Sequence, residues 1–323
     1  MSYLITGGSG SLGQALTRRL LDLNGPRIAI LSRDEWKQAV MRQAFGNDPR
    51  LRFFLGDVRD KDRLRLAMRG VEVVIHAAAL KRIDDLEYNP GEAARTNVLG
   101  AMNVIEAAVD TPTVRRVLGT STDKSAAPSS LYGASKLFLE RLFAAANSYS
   151  GSRGPVFACV RYGNVAGSRG SVIPAWRDML ARGEQPAVTD PRMTRFLIRM
   201  DQATTLVVRS LRRMKGGEVF IPKLPSFKVV DLWRAMCGSG EPRVTGRRPG
   251  EKLHEALLTA DEAPDAFDLG DDYCICRPVA GEPRPRTRGT PLPDGFHYDS
   301  GSNPVWLGIP ELEYELGLLK EAA

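Results

Sequence analysis

Near its N-terminus the chain reads Tyr3-Leu4-Ile5-Thr6-Gly7-Gly8-Ser9-Gly10-Ser11-Leu12-Gly13. The first four residues form a short apolar run typical of a strand, and leucines at helical spacing follow the glycines. Glycines at such a junction permit a tight turn and let backbone N–H groups at a helix N-terminus approach a pyrophosphate. The stretch therefore predicts a dinucleotide-binding loop, although a merely tight strand–helix turn is the alternative. The binding residues predicted in it are Gly7, Gly10, Ser11, Leu12 and Gly13.

The alternation of apolar runs with amphipathic segments continues through residues 3–163. It predicts strands at 3–6, 27–31, 51–55, 71–75, 114–121 and 155–161, and a helix at 90–108. Strands that alternate with helices indicate an α/β fold built on a Rossmann-type doubly wound parallel sheet. In such a sheet, ligands bind at the carboxyl ends of the strands.

The sequence changes character after residue 165, where glycine and proline become frequent and the predicted strands become short, at 194–200, 217–222 and 226–230. We predict that residues 1–165, together with roughly 200–222, form the Rossmann domain. Residues 166–199 and 223–323 would then form a smaller C-terminal α/β substrate-binding lobe. Residues 281–295, rich in proline, arginine and glycine, are expected to form an exposed loop.

The end of the second predicted strand bears on which dinucleotide binds. A carboxylate about 20 residues after the glycine-rich loop would favour NAD, because it binds the ribose 2′-hydroxyl. Here Ser32 and Arg33 occupy that position, with Lys37 one turn later. A hydroxyl and a guanidinium suit a 2′-phosphate, so we predict NADP as the cofactor. The carboxylate of Asp34 lies one residue later, so NAD remains an alternative. Further cofactor contacts are predicted at Asp57, Val58, Ala77, Ala78, Ala79, Lys81 and Asn97.

A cluster of reactive side chains follows the predicted strand 114–121. Thr122 ends the strand, and Tyr132 and Lys136 lie four residues apart, hence on one face of the next helix. An ammonium beside a phenol lowers the phenol pKa. The phenolate could then act as general base on a substrate hydroxyl whose carbon gives hydride to a nicotinamide cofactor. Thr122 could hydrogen-bond the same hydroxyl, and Tyr132 and Lys136 are also predicted to contact the cofactor.

Asp123 and Lys124 add an acid and a base beside this hydride-transfer site. Oxidation of a sugar carbon to a ketone acidifies the neighbouring C–H. A base can then remove that proton while an acid protonates the departing β-hydroxyl. The pair therefore favours elimination of water, and an ordinary ion pair in a turn is the alternative.

The composition limits the other function classes. The chain has 323 residues and a net charge of +7, but its arginines are scattered and no aromatic-interleaved basic strip indicates nucleic-acid binding. No apolar run is long enough to span a membrane, and there is no room for a signal peptide before the first strand. Four cysteines and three histidines show no zinc spacing. We expect a cytoplasmic protein without a metal site.

Longer stretches carry a resemblance to a known family. They are 32–35, 56–60, 76–81, 121–124, 161–172, 193–196, 248–255 and 298–301. The glycine-rich loop and the Tyr132–Lys136 spacing resemble the extended short-chain dehydrogenases/reductases. The longer stretches resemble, nearly end to end, the inverting UDP-N-acetylglucosamine 4,6-dehydratases of bacterial surface-sugar pathways.

The resemblance implies NADP as cofactor, a UDP-sugar substrate and a homo-oligomer. Tyr132 would be the base at the sugar 4-hydroxyl, Asp123 the acid at the C6 hydroxyl and Lys124 the base at C5. Retaining dehydratases carry a glutamate where this chain has Lys124, and inversion at C5 gives an L-arabino 4-keto-6-deoxy product. Substrate contacts would come from Lys81, Asn164, Arg169, Ser171, Val172, Thr194, Arg195, Arg247, Glu251 and Lys252.

Two departures from the family pattern lie near the expected site. Arg82-Ile83-Asp84 follows Lys81 where His-Val-Pro is usual, and Ser125 stands where alanine is usual. Two other functions stay open, a nucleotide-sugar 4-epimerase or ketoreductase and a non-catalytic dinucleotide-binding regulator. An epimerase needs no acid for a leaving C6 hydroxyl, and a regulator has no reason to keep a phenol and an ammonium together.

Overall fold

The computed structural model describes residues 1–23, 27–278 and 289–321. Its strands are β1 Tyr3–Thr6, β2 Ile28–Ser32, β3 Leu51–Leu55, β4 Val73–His76, β5 Arg116–Thr120, β6 Val156–Val160, β7 Asn164–Val165, β8 Thr194–Ile198, β9 Glu218–Pro222, β10 Ser226–Lys228, β11 Ala256–Leu258, β12 Ala266–Asp268, β13 Asp272–Cys276, β14 Thr290–Pro291 and β15 Tyr298–Asp299. Its helices are α1 Ser11–Asp22, α2 Glu35–Ala44, α3 Lys61–Met68, α4 Ile83–Tyr88, α5 Pro90–Ala93, α6 Gly100–Val109, α7 Leu131–Ser150, α8 Val172–Ala181, α9 Met200–Arg213, α10 Val229–Cys237 and α11 Ile309–Glu321. Residues 281–288 of the predicted loop 281–295 lie outside the described residues.

Six strands of the main sheet are parallel, in the order β3-β2-β1-β4-β5-β6, and the glycine-rich loop follows β1. In β1, Thr6 lies opposite Leu31 of β2 on one side and opposite His76 of β4 on the other. Because all six strands are parallel, their carboxyl ends lie at one edge of the sheet. The connections run outward from β1 in both directions. Strand β4 is buried along its whole length, as expected where helices cover both faces of a parallel sheet. The predicted fold class is confirmed.

The sheet continues beyond β6 through residues from the second half of the chain. Strand β9 pairs parallel to β6, with Cys159 opposite Val219, so the segment 217–222 joins the main sheet. Strand β13 pairs antiparallel with β9, and β12 and β14 follow it. These last three strands lie in the range 223–323 that we expected in the smaller lobe, and they extend the large sheet instead. Most of β13 is buried, and this burial favours its place in the sheet.

Several predicted elements have different boundaries in the structure. The helix expected at 90–108 consists of α5, a π-helical turn at Ala94–Leu99 and α6, so Asn97 lies in the π-helical turn. Such turns are frequent at functional sites. The strand expected at 226–230 ends at Lys228, and α10 begins at the next residue. Val230 and Trp233, three positions apart, are both buried by the helical conformation.

The smaller lobe has its own apolar core. A three-stranded sheet, ordered β10-β8-β7, packs with α8, α10 and α11. Trp176, Phe227, Trp233 and Leu312 are among the buried residues of this core. The indole N–H of Trp233 donates to the carbonyl oxygen of Pro186 at 2.8 Å, which satisfies its buried polar group.

Helix α7 is the longest of the described helices, with 20 residues. It buries the charged side chains of Lys136 and Glu140 against the sheet. None of the helices within the described ranges is long and apolar enough to cross a bilayer.

Candidate active site

The glycine-rich loop has the close packing that a dinucleotide site needs. Gly7 has a φ of +66°, and a Cβ atom there would lie 2.8 Å from the Cα atom of Ala78. A Cβ atom on Gly13 would collide with the carbonyl oxygen of Gly8. Helix α1 starts after Gly10 without a side-chain cap, so its first N–H groups can meet an anion. These features fit a bound pyrophosphate.

The residues at the end of β2 differ in the hydrogen bonds and ion pairs that their side chains form within the protein. The Ser32 hydroxyl accepts hydrogen bonds from Ser9 at 2.9 Å and Gln38 at 3.0 Å. Asp34 caps α2 by accepting from the backbone N–H of Lys37 at 2.9 Å, and its carboxylate also pairs with the Lys37 ammonium. Arg33 is more than half exposed, and its guanidinium lies 4.0 Å from Asp57. Arg33 is therefore the side chain of this group with the weakest internal contact.

The loop after β4 is held against β1 and α7. The backbone N–H groups of Ala77 and Ala78 donate to the carbonyl and the hydroxyl of Thr6, at 3.2 and 3.3 Å. Asn97 accepts from the N–H of Leu80 at 2.8 Å and donates to its carbonyl at 2.9 Å. Its amide also donates to the Ser135 hydroxyl at 2.9 Å. The contacts of Asn97 thus serve to place this loop beside α7.

The other predicted cofactor residues lie nearby in varied surroundings. Asp57 follows β3 and accepts from the Arg59 guanidinium at 2.8 Å. Val58 is buried. Lys81 is exposed beside the partly buried Ala79, at the edge of the cleft. These residues share the edge of the sheet at which β3 and β4 end.

Thr122, Asp123 and Lys124 form one hydrogen-bonded cluster after β5. The Thr122 hydroxyl donates to the Asp123 Oδ1 atom at 2.9 Å, and the Lys124 ammonium donates to the same atom at 3.0 Å. Asp123 is 1% exposed, and its Oδ2 atom has no hydrogen-bond partner within the described residues. The predicted acid and base are therefore in direct contact, and one carboxylate oxygen is available to a ligand.

Helix α7 brings Tyr132 to this cluster. Ser130 caps the helix by accepting from the Gly133 N–H at 3.2 Å. A Cβ atom on Gly133 would collide with the carbonyl of Lys124, so a glycine permits the close approach of helix and cluster. Burial raises the pKa of Tyr132 to about 12, against the opposing effects of Lys124 and of a hydrogen bond with Thr122.

Lys136 does not play the electrostatic part that we expected. Its ammonium donates to the Thr120 carbonyl at 2.6 Å, and burial lowers its pKa to about 8. Lys124 is the cation that favours the phenolate of Tyr132, and burial outweighs it. In this arrangement the main-chain carbonyl holds the Lys136 ammonium, and Lys136 is not among the groups that shift the pKa of Tyr132.

Glu255 is a member of the cluster that the sequence reasoning missed. It is 3% exposed, and its Oε1 atom lies 3.1 Å from the Lys124 ammonium. The Arg195 guanidinium lies 3.9 Å from the same atom. Glu255 is part of the stretch 248–255 that carries the family resemblance, which is the one signal that could have drawn attention to it.

A buried ionic network supports the cluster from behind. Arg161 donates to Glu140 and Glu262, with nitrogen–oxygen distances between 2.5 and 2.9 Å. The hydroxyls of Ser121 and Ser125 donate to Glu140 at 2.5 and 2.8 Å. The serine that replaces the usual alanine thus completes the hydrogen bonding of a buried carboxylate, and the network ties the cluster to β6 and α7.

Several predicted substrate residues surround the cluster. Arg195 donates to the Thr194 carbonyl at 2.7 Å, and the Thr194 hydroxyl lies 2.8 Å from His254. The Lys252 ammonium donates to the Ala126 carbonyl at 2.6 Å, and burial lowers its pKa. These contacts bring β8 and the segment before β11 against the carboxyl end of β5.

Asn164 and Ser171 lie in the smaller lobe, in β7 and directly before α8. Within the described ranges, the buried Asn164 Oδ1 and Ser171 Oγ atoms have no hydrogen-bond partner. Ser171 precedes α8, whose first residue is Val172, and does not cap it with its side chain. Buried polar atoms without partners are uncommon in folded proteins, so both are suited to bind a polar ligand.

Three of the predicted substrate residues have their contacts elsewhere. Arg247 is half exposed and lies 3.9 Å from Asp190. Glu251 accepts from the backbone N–H of Arg248 at 3.0 Å. Arg169 lies on the glycine-rich loop, where its guanidinium donates to the Ser9 carbonyl at 3.1 Å. The contacts of Arg169 therefore place it on the dinucleotide side of the cleft.

This position leads to a prediction for Arg169→Ala. The backbone N–H of Arg169 also donates to the Ser11 hydroxyl, at 3.2 Å, so its guanidinium lies beside the N-terminus of α1. Loss of a charge-assisted contact should weaken nicotinamide cofactor binding about tenfold. Calorimetric titration with the cofactor measures the effect. Arg182→Ala is the control, because Arg182 pairs with Glu184 on the surface. Equal affinities in both variants would contradict the prediction.

The fold is that of a Rossmann-type enzyme and its glycine-rich loop fits a dinucleotide, and comparison with known proteins makes the class specific. A family model described as polysaccharide biosynthesis protein matches residues 3–277. The chain belongs to this family. It is 43% identical to the UDP-N-acetylglucosamine 4,6-dehydratase (inverting) of Campylobacter jejuni over 321 residues, which cover 96% of each chain. It is 40% identical to a UDP-glucose 4-epimerase of Rickettsia canadensis over 282 residues, 85% of this chain and 82% of that one. The family resemblance inferred from the motifs is confirmed.

Solved structures extend the comparison to the fold. Pen from Bacillus thuringiensis matches with a TM-score of 0.90 and 34% identity, over 99% of this chain and 97% of that one. DesIV from Streptomyces venezuelae, a dTDP-glucose 4,6-dehydratase, matches with a TM-score of 0.71 and 26% identity, over 78% and 87% of the two chains. DesIV was solved with NAD bound. The matching fold thus holds a nicotinamide cofactor in a related protein.

Proposed function

We propose that the protein is an inverting UDP-N-acetylglucosamine 4,6-dehydratase, a hydro-lyase. The observation that carries the proposal is the contact between Asp123 and Lys124, 3.0 Å apart, next to Tyr132 at the carboxyl end of β5. The near full-length similarity to the Campylobacter dehydratase supports it. The product would be a UDP-4-keto-6-deoxy-L-arabino-hexosamine.

Each residue of the cluster has a task in this reaction. The glycine-rich loop would hold the nicotinamide cofactor, which would supply a hydride acceptor for C4 and the hydride for C6. Tyr132 takes the proton of the 4-hydroxyl, and Thr122 orients that hydroxyl. Lys124 removes the C5 proton, while Asp123 protonates the C6 hydroxyl as it leaves. Protonation of C5 on the opposite face completes the inversion.

The alternative is a UDP-sugar 4-epimerase or ketoreductase, which the Rickettsia relative favours. An epimerase oxidises C4 and a ketoreductase reduces a ketone, and for either step a single proton carrier such as Tyr132 suffices. Neither requires an acid aimed at a C6 hydroxyl, whereas Asp123 is buried and in contact with a second ionisable group. We therefore rank the dehydratase first.

One assay distinguishes these functions. The protein is incubated with UDP-N-acetylglucosamine in deuterated water, and the product is analysed by mass spectrometry and NMR. Dehydration removes about 18 mass units, and protonation of C5 from solvent introduces deuterium there. Unchanged mass with an inverted C4 would identify an epimerase and reject the dehydratase. Cofactor binding without turnover would identify a regulator.

We further propose NADP as the cofactor. The exposed Arg33 guanidinium at the end of β2 suits a 2′-phosphate, and Asp34 is engaged as the cap of α2. Arg33→Ala should therefore weaken binding of NADP about tenfold and leave that of NAD unchanged. Titration of Arg33→Ala with NADP and with NAD measures both affinities, and the NAD titration is the control. If wild type prefers NAD, or if the variant loses both equally, NADP specificity through Arg33 is rejected.

A homo-oligomer located in the cytoplasm completes the proposal. The family resemblance supports oligomer formation, and the four free cysteines are typical of a reducing compartment such as the cytoplasm. Light scattering of the purified protein measures the assembly directly.

A further inference from the structure

The cluster beside Tyr132 contains one ammonium and two carboxylates, all largely buried. Lys124 lies between Asp123 Oδ1 at 3.0 Å and Glu255 Oε1 at 3.1 Å. One cation can neutralise only one of the two anions, and a second buried negative charge is costly. Lys124 alone therefore cannot compensate both carboxylates, and the carboxyl with fewer further cations nearby is the one that favours the protonated form.

The surroundings decide which carboxylate that is. Glu255 has a second cation, Arg195, at 3.9 Å, whereas the Asp123 contacts beyond Lys124 are with the Thr122 hydroxyl. Burial favours the protonated form of both carboxyls. For Glu255 the attraction of Lys124 and Arg195 outweighs burial and lowers its pKa, while burial and the nearby Glu255 raise the pKa of Asp123.

Other charged and titratable groups face the cluster from the packed elements. They are Arg195 from β8, Lys252 from the segment before β11 and Tyr132 from α7. Both cations attract Glu255 and favour its ionised form, and Lys252 also attracts Asp123 more weakly.

The backbone fixes Glu255 in this place. Its N–H donates to the Ser300 hydroxyl at 2.9 Å, and its carbonyl accepts from the Ser300 N–H at 2.8 Å. The next residue begins β11, which pairs with β15. The carboxylate is thus delivered to the cluster by the C-terminal half of the chain.

We propose that Glu255 is a positioning residue that carries the charge of Lys124, so that Asp123 is a protonated carboxylic acid before the substrate binds. This inference rests on the proposed dehydratase function and adds a residue to it. In this arrangement Asp123 holds the proton that leaves with the C6 hydroxyl as water.

Infrared spectroscopy of the full-length protein tests the proposal without turnover. Wild type at pH 7 should show the carbonyl stretch of a protonated carboxylic acid, which shifts on ¹³C-aspartate labelling and disappears in Asp123→Asn. The band should also disappear in Glu255→Gln, because Lys124 then pairs with Asp123 alone. It should persist in Glu255→Asp and in the control Glu241→Gln, whose carboxylate pairs with Arg234 at the surface.

The dehydratase assay supplies a second readout. Glu255→Gln should eliminate water at least about tenfold more slowly, since each unit by which the pKa of an acid falls costs a factor of ten in its protonated fraction. Reduction of the cofactor by substrate should persist, and Glu255→Asp should recover part of the rate.

Two results would overturn the inference. One is the absence of the aspartic acid band from wild type at pH 7, which needs no variant and so stands even if Glu255→Gln does not fold. The other is an unchanged band in a folded Glu255→Gln. If wild type shows the band but produces no dehydrated sugar, the proposed function fails and the charge arrangement stands.

Discussion

Replacement of Lys124 by alanine should abolish deuterium incorporation at C5 and slow dehydration by at least about 100-fold. The reason is that Lys124 is the base proposed for the C5 proton, and the contacts of the nearby Lys136 hold it at the Thr120 carbonyl instead. Cofactor binding should persist, because Lys124 contacts Asp123 and Glu255 and not the glycine-rich loop. NMR of the product formed in deuterated water measures the exchange, and calorimetry measures cofactor binding.

Lys124→Arg separates the charge of this residue from its chemistry. A guanidinium keeps the ion pairs with Asp123 and Glu255 but does not deprotonate in proteins, so it cannot act as a base. This variant should therefore be as inactive in C5 exchange as the alanine variant. Lys61→Ala is the control, since Lys61 of α3 forms an exposed ion pair with Glu106 of α6. Turnover by either Lys124 variant at the wild-type rate would refute Lys124 as the base.

Replacement of Arg161 by methionine should lower the free energy of unfolding by about 3–5 kcal/mol. The Arg161 side chain is 1% exposed and binds both Glu140 and Glu262. Glu262 keeps a second partner in Arg277 at 3.1 Å, so the loss of charge compensation is greatest at Glu140. Urea denaturation followed by circular dichroism measures the change.

Arg182→Met is the matched comparison for this prediction. Arg182 pairs with Glu184 at 2.7 Å on the surface, where an ion pair contributes about 0–1 kcal/mol. Similar losses in the two variants would contradict the importance assigned to the buried network.

The Glu140 network also predicts a pH dependence. The pKa of Glu140 is lowered, because Arg161 and two serine hydroxyls outweigh burial. Its contribution is therefore complete above the ordinary glutamate pKa and is lost as the pH falls through the lower, folded-state value.

Local patterns were sufficient to predict the parallel half of the fold. An apolar run, a glycine-rich loop and an amphipathic helix occur within 20 residues of each other, so the doubly wound parallel sheet follows from general rules for α/β proteins. The strands β12, β13 and β14 could not be placed in the same way. They are short, and their position depends on pairing with β9, which is distant in the chain.

The contacts of the candidate site were likewise predictable from the sequence only in part. Thr122, Asp123 and Lys124 are adjacent in the sequence, so their mutual contact was accessible from the pattern. The spacing of Tyr132 and Lys136 placed both on one face of α7, but it could not reveal that the Thr120 carbonyl would hold the Lys136 ammonium. Side-chain direction and electrostatic environment depend on what packs against the helix.

By itself, the sequence determined the Rossmann fold, the family and the pair Asp123–Lys124, because each is encoded in residues close together in the chain. Only the tertiary structure decided that Glu255 completes that pair and that Arg169 lies on the glycine-rich loop. Both residues reach their partners across more than 100 positions of sequence. Local spacing contains no information on such contacts, whereas burial of charge in a shared cleft requires them.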